Sequence, residues 1–118
     1  MQQELQQDKM ALLQAGLERV KQEFIASVPG RVAALDGLLD DLYEEGDISG
    51  AVDGIGQHAH KLHGQAGSFG FADISATAAR LEQEVMNFKD APQADDTETI
   101  ETCLVELLDQ IDETFGGA

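Results

Sequence analysis

Three histidines, His58, His60 and His63, stand close together in the chain, with Lys61, Gly64 and Gly67 among and after them and Glu82 further on. An imidazole can act near neutral pH as a nucleophile, a proton carrier or a metal ligand, depending on which ring nitrogen keeps its hydrogen. A carboxylate that accepts from one ring N–H settles that choice and leaves the other nitrogen free to attack. Residues Ile48, Val52, Ile55, Ala59, Leu62, Ala66 and Phe69 recur at spacings of four and three, a helical period. At 100° per residue, His60 falls roughly 130° from the centre of that apolar stripe, so it faces outward. Gly64 follows one turn later on the same face, and Gly56 and Gly67 flank that strip.

Glycine inside a helix costs about 1 kcal/mol relative to alanine. This helix carries Gly50, Gly54, Gly56, Gly64 and Gly67. A lone histidine on a helix is ordinarily a solvated side chain. Here the glycines point instead to a face stripped so that another protein can approach His60. The next helix shows Ile74, Ala78, Leu81, Val85 and Phe88 at the same period, with Glu82 at the edge of the stripe and Ser75, Ala79 and Met86 on the adjoining face. As an antiparallel neighbour, that helix could bring Glu82 to the ring of His60. Lys61, Arg80 and Lys89 would supply positive charge nearby.

The elements that must hold these residues are all helical. The expected helices cover roughly residues 3–27, 29–45, 48–69, 72–89 and 96–115. Pro29 disfavours helix at Val28 and suits the first turn of a new one, which predicts a break there. Leu13, Leu17, Val20 and Phe24 mark the helix before it, and Val32, Leu35, Leu38, Leu39 and Leu42 the helix after it. Gly70 is the expected stop of the third helix, and Asp73 opens the fourth. Asp90 to Asp96, with Pro92, reads as a polar loop. Asp95 and Glu98 resemble a capping pair for the last helix, whose stripe is Ile100, Leu104, Leu107, Leu108, Ile111 and Phe115. The expected fold is all-α: one domain spanning residues 1–118, an antiparallel up-and-down four-helix bundle with an additional N-terminal helix.

Composition narrows the function. The 118 residues carry 7 Lys and Arg against 23 Asp and Glu, a net charge of −16. That balance argues against gripping nucleic acid and against docking on an anionic membrane. No run approaches the roughly 20 apolar residues needed to cross a bilayer. Residues Met1–Leu5 lack a basic, apolar leader, and the single Cys103 cannot form an internal disulfide, so a cytoplasmic setting is expected. Cys103 falls on a core-facing stripe and reads as a small buried hydrophobe. A monomer is expected, since nothing in the pattern demands a dimer.

The run His60-Lys61-Leu62-His63-Gly64-Gln65-Ala66-Gly67-Ser68-Phe69-Gly70-Phe71 resembles the signature of histidine-containing phosphotransfer (HPt) domains of two-component phosphorelays. That signature has a histidine, an apolar residue two later, usually a lysine at the third position, then glycine, and a second glycine ten after the histidine. His60, Leu62, His63, Gly64 and Gly70 hold those places, and Leu81-Glu82 matches the downstream helix. The resemblance implies that His60 accepts a phosphoryl group and exchanges it with an aspartate of a response-regulator or hybrid-kinase receiver domain. It also implies that Gly64 gives the receiver access and that Glu82 orients the imidazole. The departure is His63, where lysine is usual. Assigning the site to His63 fails, because the tenth position after it is Asp73.

No GxxxxGK[ST] loop and no kinase-type glycine loop occurs, so a phosphocarrier rather than an ATP-using enzyme is implied. No cofactor or metal is expected on this chain, the divalent metal belonging to the receiver. Two other readings start from the same residues. One is a helical docking module that is never phosphorylated. The other is a metal-binding bundle in which His60 and His63 join Glu82 or Asp53.

Overall fold

Gly70 is the residue on which the fold turns. Its φ of +87° lies in the left-handed region that glycine adopts freely. That conformation lets the N–H of Phe71 reach the carbonyl of Ala66 at 2.8 Å and the N–H of Gly70 reach that of Gly67 at 3.4 Å. These paired bonds close the end of one helix and start the chain back along the next.

The computed structural model describes residues 2–44, 46–91 and 97–116. Among the described residues four helices follow in order: α1 (Gln2–Tyr43), α2 (Ile48–Ser68), α3 (Ala72–Asp90) and α4 (Glu98–Phe115). No strand occurs among the described residues. Asp47 caps α2 by accepting from the N–H of Gly50 at 3.0 Å. Asp73 sits in the first turn of α3 and Lys89 in its last, each favourable to the helix dipole. Helix α4 starts after Thr97, whose hydroxyl donates to the Glu101 carboxylate at 3.1 Å. The expected capping partner Asp95, like the Asp90–Asp96 loop apart from Asp90 and Ala91, lies outside the described residues.

Helix α2 packs on α1 and α3, and α4 packs on α3 and α1, closing a ring of four around one core. Leu35, Val52, Ile55, Leu62, Leu81, Ile100, Leu104 and Leu107 are its fully buried large side chains. Cys103 is buried too, as its place on the stripe predicts. At the α2–α3 turn the core ends in an aromatic cluster of Phe24, Phe69, Phe71 and Phe115, with ring centroids 4.9–6.4 Å apart.

The expected break at Pro29 is absent: in place of the two helices expected over residues 3–27 and 29–45, one helix, Gln2–Tyr43, runs through the proline. Proline there removes one N–H and crowds the preceding turn, a loss of about 3 kcal/mol. Buried Phe24 and Val28 before it, and Leu35, Leu39 and Leu42 after it, pack into the same core, and that burial holds the axis continuous. The first part of α1 differs from expectation in a second way. Leu13, Leu17 and Val20, placed on an apolar stripe by their spacing, are 50–64% exposed, and only Phe24 of that set is buried. The bundle ends at the aromatic cluster, and α1 continues beyond it, which gives the molecule a long axis of 66 Å.

Candidate functional site

Facing residues set the register of α2 against α3. Asp53 pairs with Lys89, Gly56 faces Val85, His60 meets Glu82 and Gly67 faces Ser75. Two glycines make this approach possible. A Cβ at Gly56 would lie 2.9 Å from Val85 Cγ1, and one at Gly67 would lie 3.0 Å from Ser75 Oγ. On the other side of α2, a Cβ at Gly54 would meet Leu38 of α1 at 3.0 Å. The glycines at 54, 56 and 67 are therefore sites of close helix approach, not a stripped outer face. Gly64 alone among the five has open space around it, one turn beyond His60, while Gly50 lies against the capping Asp47. The expectation of a bared strip thus holds at Gly64 and is corrected at Gly56 and Gly67.

The close packing brings a carboxylate to the histidine. His60 Nδ1 lies 3.0 Å from Glu82 Oε1. A carboxylate only accepts, so the proton resides on Nδ1 and the lone pair of Nε2 is free. The His60 side chain is 76% exposed, whereas Glu82 is 26% exposed. An outward imidazole is thus held by an inward acceptor. His63 approaches the same carboxylate from one turn further on, with Nδ1 3.7 Å from Glu82 Oε2. That distance is too long for a hydrogen bond but close enough for charge attraction once the ring is protonated. Oε2 is shielded from solvent and has no hydrogen-bond partner.

Ser75 lies against Gly67 and spends its hydroxyl on the His63 carbonyl oxygen, at 2.8 Å. Ala79 is half-buried and Met86 is exposed on the same helix. His58 is half-buried. Burial lowers its pKa, and the charges of Arg31 and Lys61 lower it further, so it stays neutral at pH 7. The metal-binding alternative receives no support from the geometry. Asp53 is engaged by Lys89, and among the described residues no group of three or more His, Cys, Asp or Glu is arranged to hold an ion.

Two of the three cations expected near the site are committed elsewhere: Lys89 to Asp53 on α2, and Arg80 to Glu106 on α4. Lys61 is joined instead by Arg31, which the sequence reading missed. Both line an open groove of about 600 Å³ between α1 and α2 that also contains His60, Gly64 and Gln65. The Arg31 guanidinium stacks over the Phe24 ring, 5.9 Å from its centroid, with Nη1 buried and without a hydrogen-bond partner. Arg31 lies on a different helix, far from the histidines in sequence, so no local spacing could have signalled it.

The family model described as the Hpt domain matches residues 19–114 of this chain. No curated protein and no solved structure matches it.

Proposed function

The chain belongs to the Hpt domain family, whose members carry phosphoryl groups in phosphorelays, and from that premise we propose that His60 is the residue phosphorylated. The observation that carries this reading is the Nδ1 contact to Glu82, which leaves Nε2 as the free nucleophile on an exposed helix face. In the forward step the Nε2 lone pair attacks the phosphorus of a receiver's aspartyl phosphate. The N–P bond forms as the P–O bond to the aspartate breaks, and the aspartate leaves as a carboxylate. The return step reverses both changes. Glu82 keeps the Nδ1 proton in place and stabilises the positive charge that the ring acquires.

In this reading the chain works as an antiparallel up-and-down bundle in the cytoplasm, a carrier that makes no phosphoryl group from ATP. Among the described residues no helix is long and apolar enough to cross a membrane. The divalent metal and lysine that neutralise the moving oxygens belong to the receiver. The receiver approaches over Gly64, where a side chain would stand in its way, with Lys61 on the α1 side and Ser75, Ala79 and Met86 on the α3 side. Gly67 contributes indirectly, by letting Ser75 settle against α2. His63 takes the place where a lysine is usual and, when protonated, offers its charge to the phosphoryl oxygens or to Glu82.

The test is intact mass after incubation with a phosphorylated receiver or a small phosphoramidate donor, on the wild type and on His60→Gln. One acid-labile phosphoryl group on the wild type and none on the variant is expected. Absence of modification with both donors would leave a docking module as the better reading. Modification that survives His60→Gln would move the site to His63 or His58.

A further inference from the structure

Beyond the aromatic cluster at the end of the bundle, α1 carries most of the exposed large apolar side chains among the described residues. Met10, Leu12, Leu13, Leu17 and Val20 are each at least half exposed. Four of them, Met10, Leu13, Leu17 and Val20, recur at spacings of three, four and three, the a and d positions of a heptad. Among the described residues no side chain buries this stripe, although Leu17 and Val20 border Phe69 at the end of α2. The family match begins only at residue 19, so most of the segment lies outside the part of the chain that defines the phosphotransfer domain.

We propose that this stripe pairs with the same stripe of a second copy, forming an antiparallel helical pair. The inference stands independently of the role of His60, and it replaces the monomer expected from the sequence. Charge selects the occupant. The molecule carries −16, yet over residues 6–24 Asp8, Glu18 and Glu23 are balanced by Lys9, Arg19 and Lys21. This stretch is therefore one that a second acidic copy can meet without repulsion.

Charge also selects the direction. Parallel pairing would set two strongly acidic bundles side by side. Antiparallel pairing centred near Ala15 places Leu13 opposite Leu17 of the second copy, Met10 opposite Val20, and Lys9 beside Glu23. It also brings the two Gly16 residues together, and Gly16 has open space around it. At 1.5 Å per residue the two bundles then begin about 27 Å apart, beyond the screening length of about 8 Å at physiological salt. With only four side chains per copy in the seam, the pair is expected to depend on concentration.

The full chain is tested by light scattering or sedimentation equilibrium over a concentration series. The mass is expected to rise from 12.7 kDa toward twice that value. The double variant Leu13→Glu, Leu17→Glu should stay at the monomer mass and keep its helical spectrum, because both side chains are exposed in the single chain. A wild type that remains monomeric throughout overturns the proposal, as does a double variant that dimerises equally well. A monomeric wild type whose double variant exchanges phosphoryl groups poorly would assign the stripe to a receiver instead, which also overturns it. Direction is read by oxidative cross-linking: Gly16→Cys should link efficiently and Met10→Cys poorly. The reverse pattern would overturn the antiparallel arrangement.

Discussion

His60 and His63 approach the two oxygens of one carboxylate, Glu82, so a proton on either ring alters the surroundings of the other. In the proposed reaction the Nδ1–H of His60 must stay on Glu82 while Nε2 attacks. A protonated His63 would bring positive charge to Oε2, which has no hydrogen-bond partner. Imidazoles change charge between about pH 5 and 8, whereas an ordinary lysine stays charged throughout that range. His63→Lys places a permanent charge at that position, so transfer to and from a receiver is expected to change several-fold. The measurement is the transfer rate of both proteins under one condition. An unchanged rate in the variant would remove His63 from the mechanism.

At the scale of the element, α2 uses its glycines in two ways, and substitution separates them. Gly64→Ala adds a methyl group to open space, so the helix should gain about 1 kcal/mol and melt a few degrees higher. The same methyl intrudes on the proposed receiver approach, so transfer should slow by roughly tenfold, equivalent to about 1.4 kcal/mol. Gly56→Ala places its methyl 2.9 Å from Val85 Cγ1 on a short, stiff side chain. Overpacking of about 1–3 kcal/mol should then outweigh the helix gain and lower the melting temperature. Thermal melts and transfer rates on both variants check the pair. A Gly64→Ala protein that is more stable and transfers at full rate would end the access role.

For the whole molecule, acid is the condition to which one described histidine should respond. The pKa of His58 is lowered in the folded protein, first by burial and then by Arg31 and Lys61. Below the ordinary imidazole value near 6.5 the unfolded chain binds a proton that the folded chain resists. This stabilising contribution is therefore complete above about pH 7 and is lost as pH falls through the window below 6.5. His58→Gln cannot titrate, so its stability should fall less between pH 7 and 5 than that of the wild type. Urea unfolding of both proteins at the two pH values measures the difference, and equal losses would count against the assigned cause.

Much of the helical framework and the site's central contact was legible in the residues. The heptad-like stripes of α2, α3 and α4 identify their buried faces because period and burial are two views of one helix geometry. Gly70 announces its turn because only glycine adopts a φ of +87° without strain. The pairing of Glu82 with His60 could be anticipated because Glu82 lies at the edge of its stripe, where an antiparallel neighbour brings it to the outward face that carries His60. Other features depend on partners distant in sequence. Local preference marks Pro29 as a boundary, yet packing on both sides carries α1 through it. Leu13, Leu17 and Val20 have the spacing of a core, but they stay at least half exposed, Leu17 and Val20 only bordering Phe69 at the end of α2. Gly56 and Gly67 look like Gly64 in the sequence, and only the positions of Val85 and Ser75 distinguish close packing from open surface. Arg31 joins the groove beside His60 for the same reason. Periodicity names the face a helix will bury, whereas the tertiary structure alone decides what lies against it.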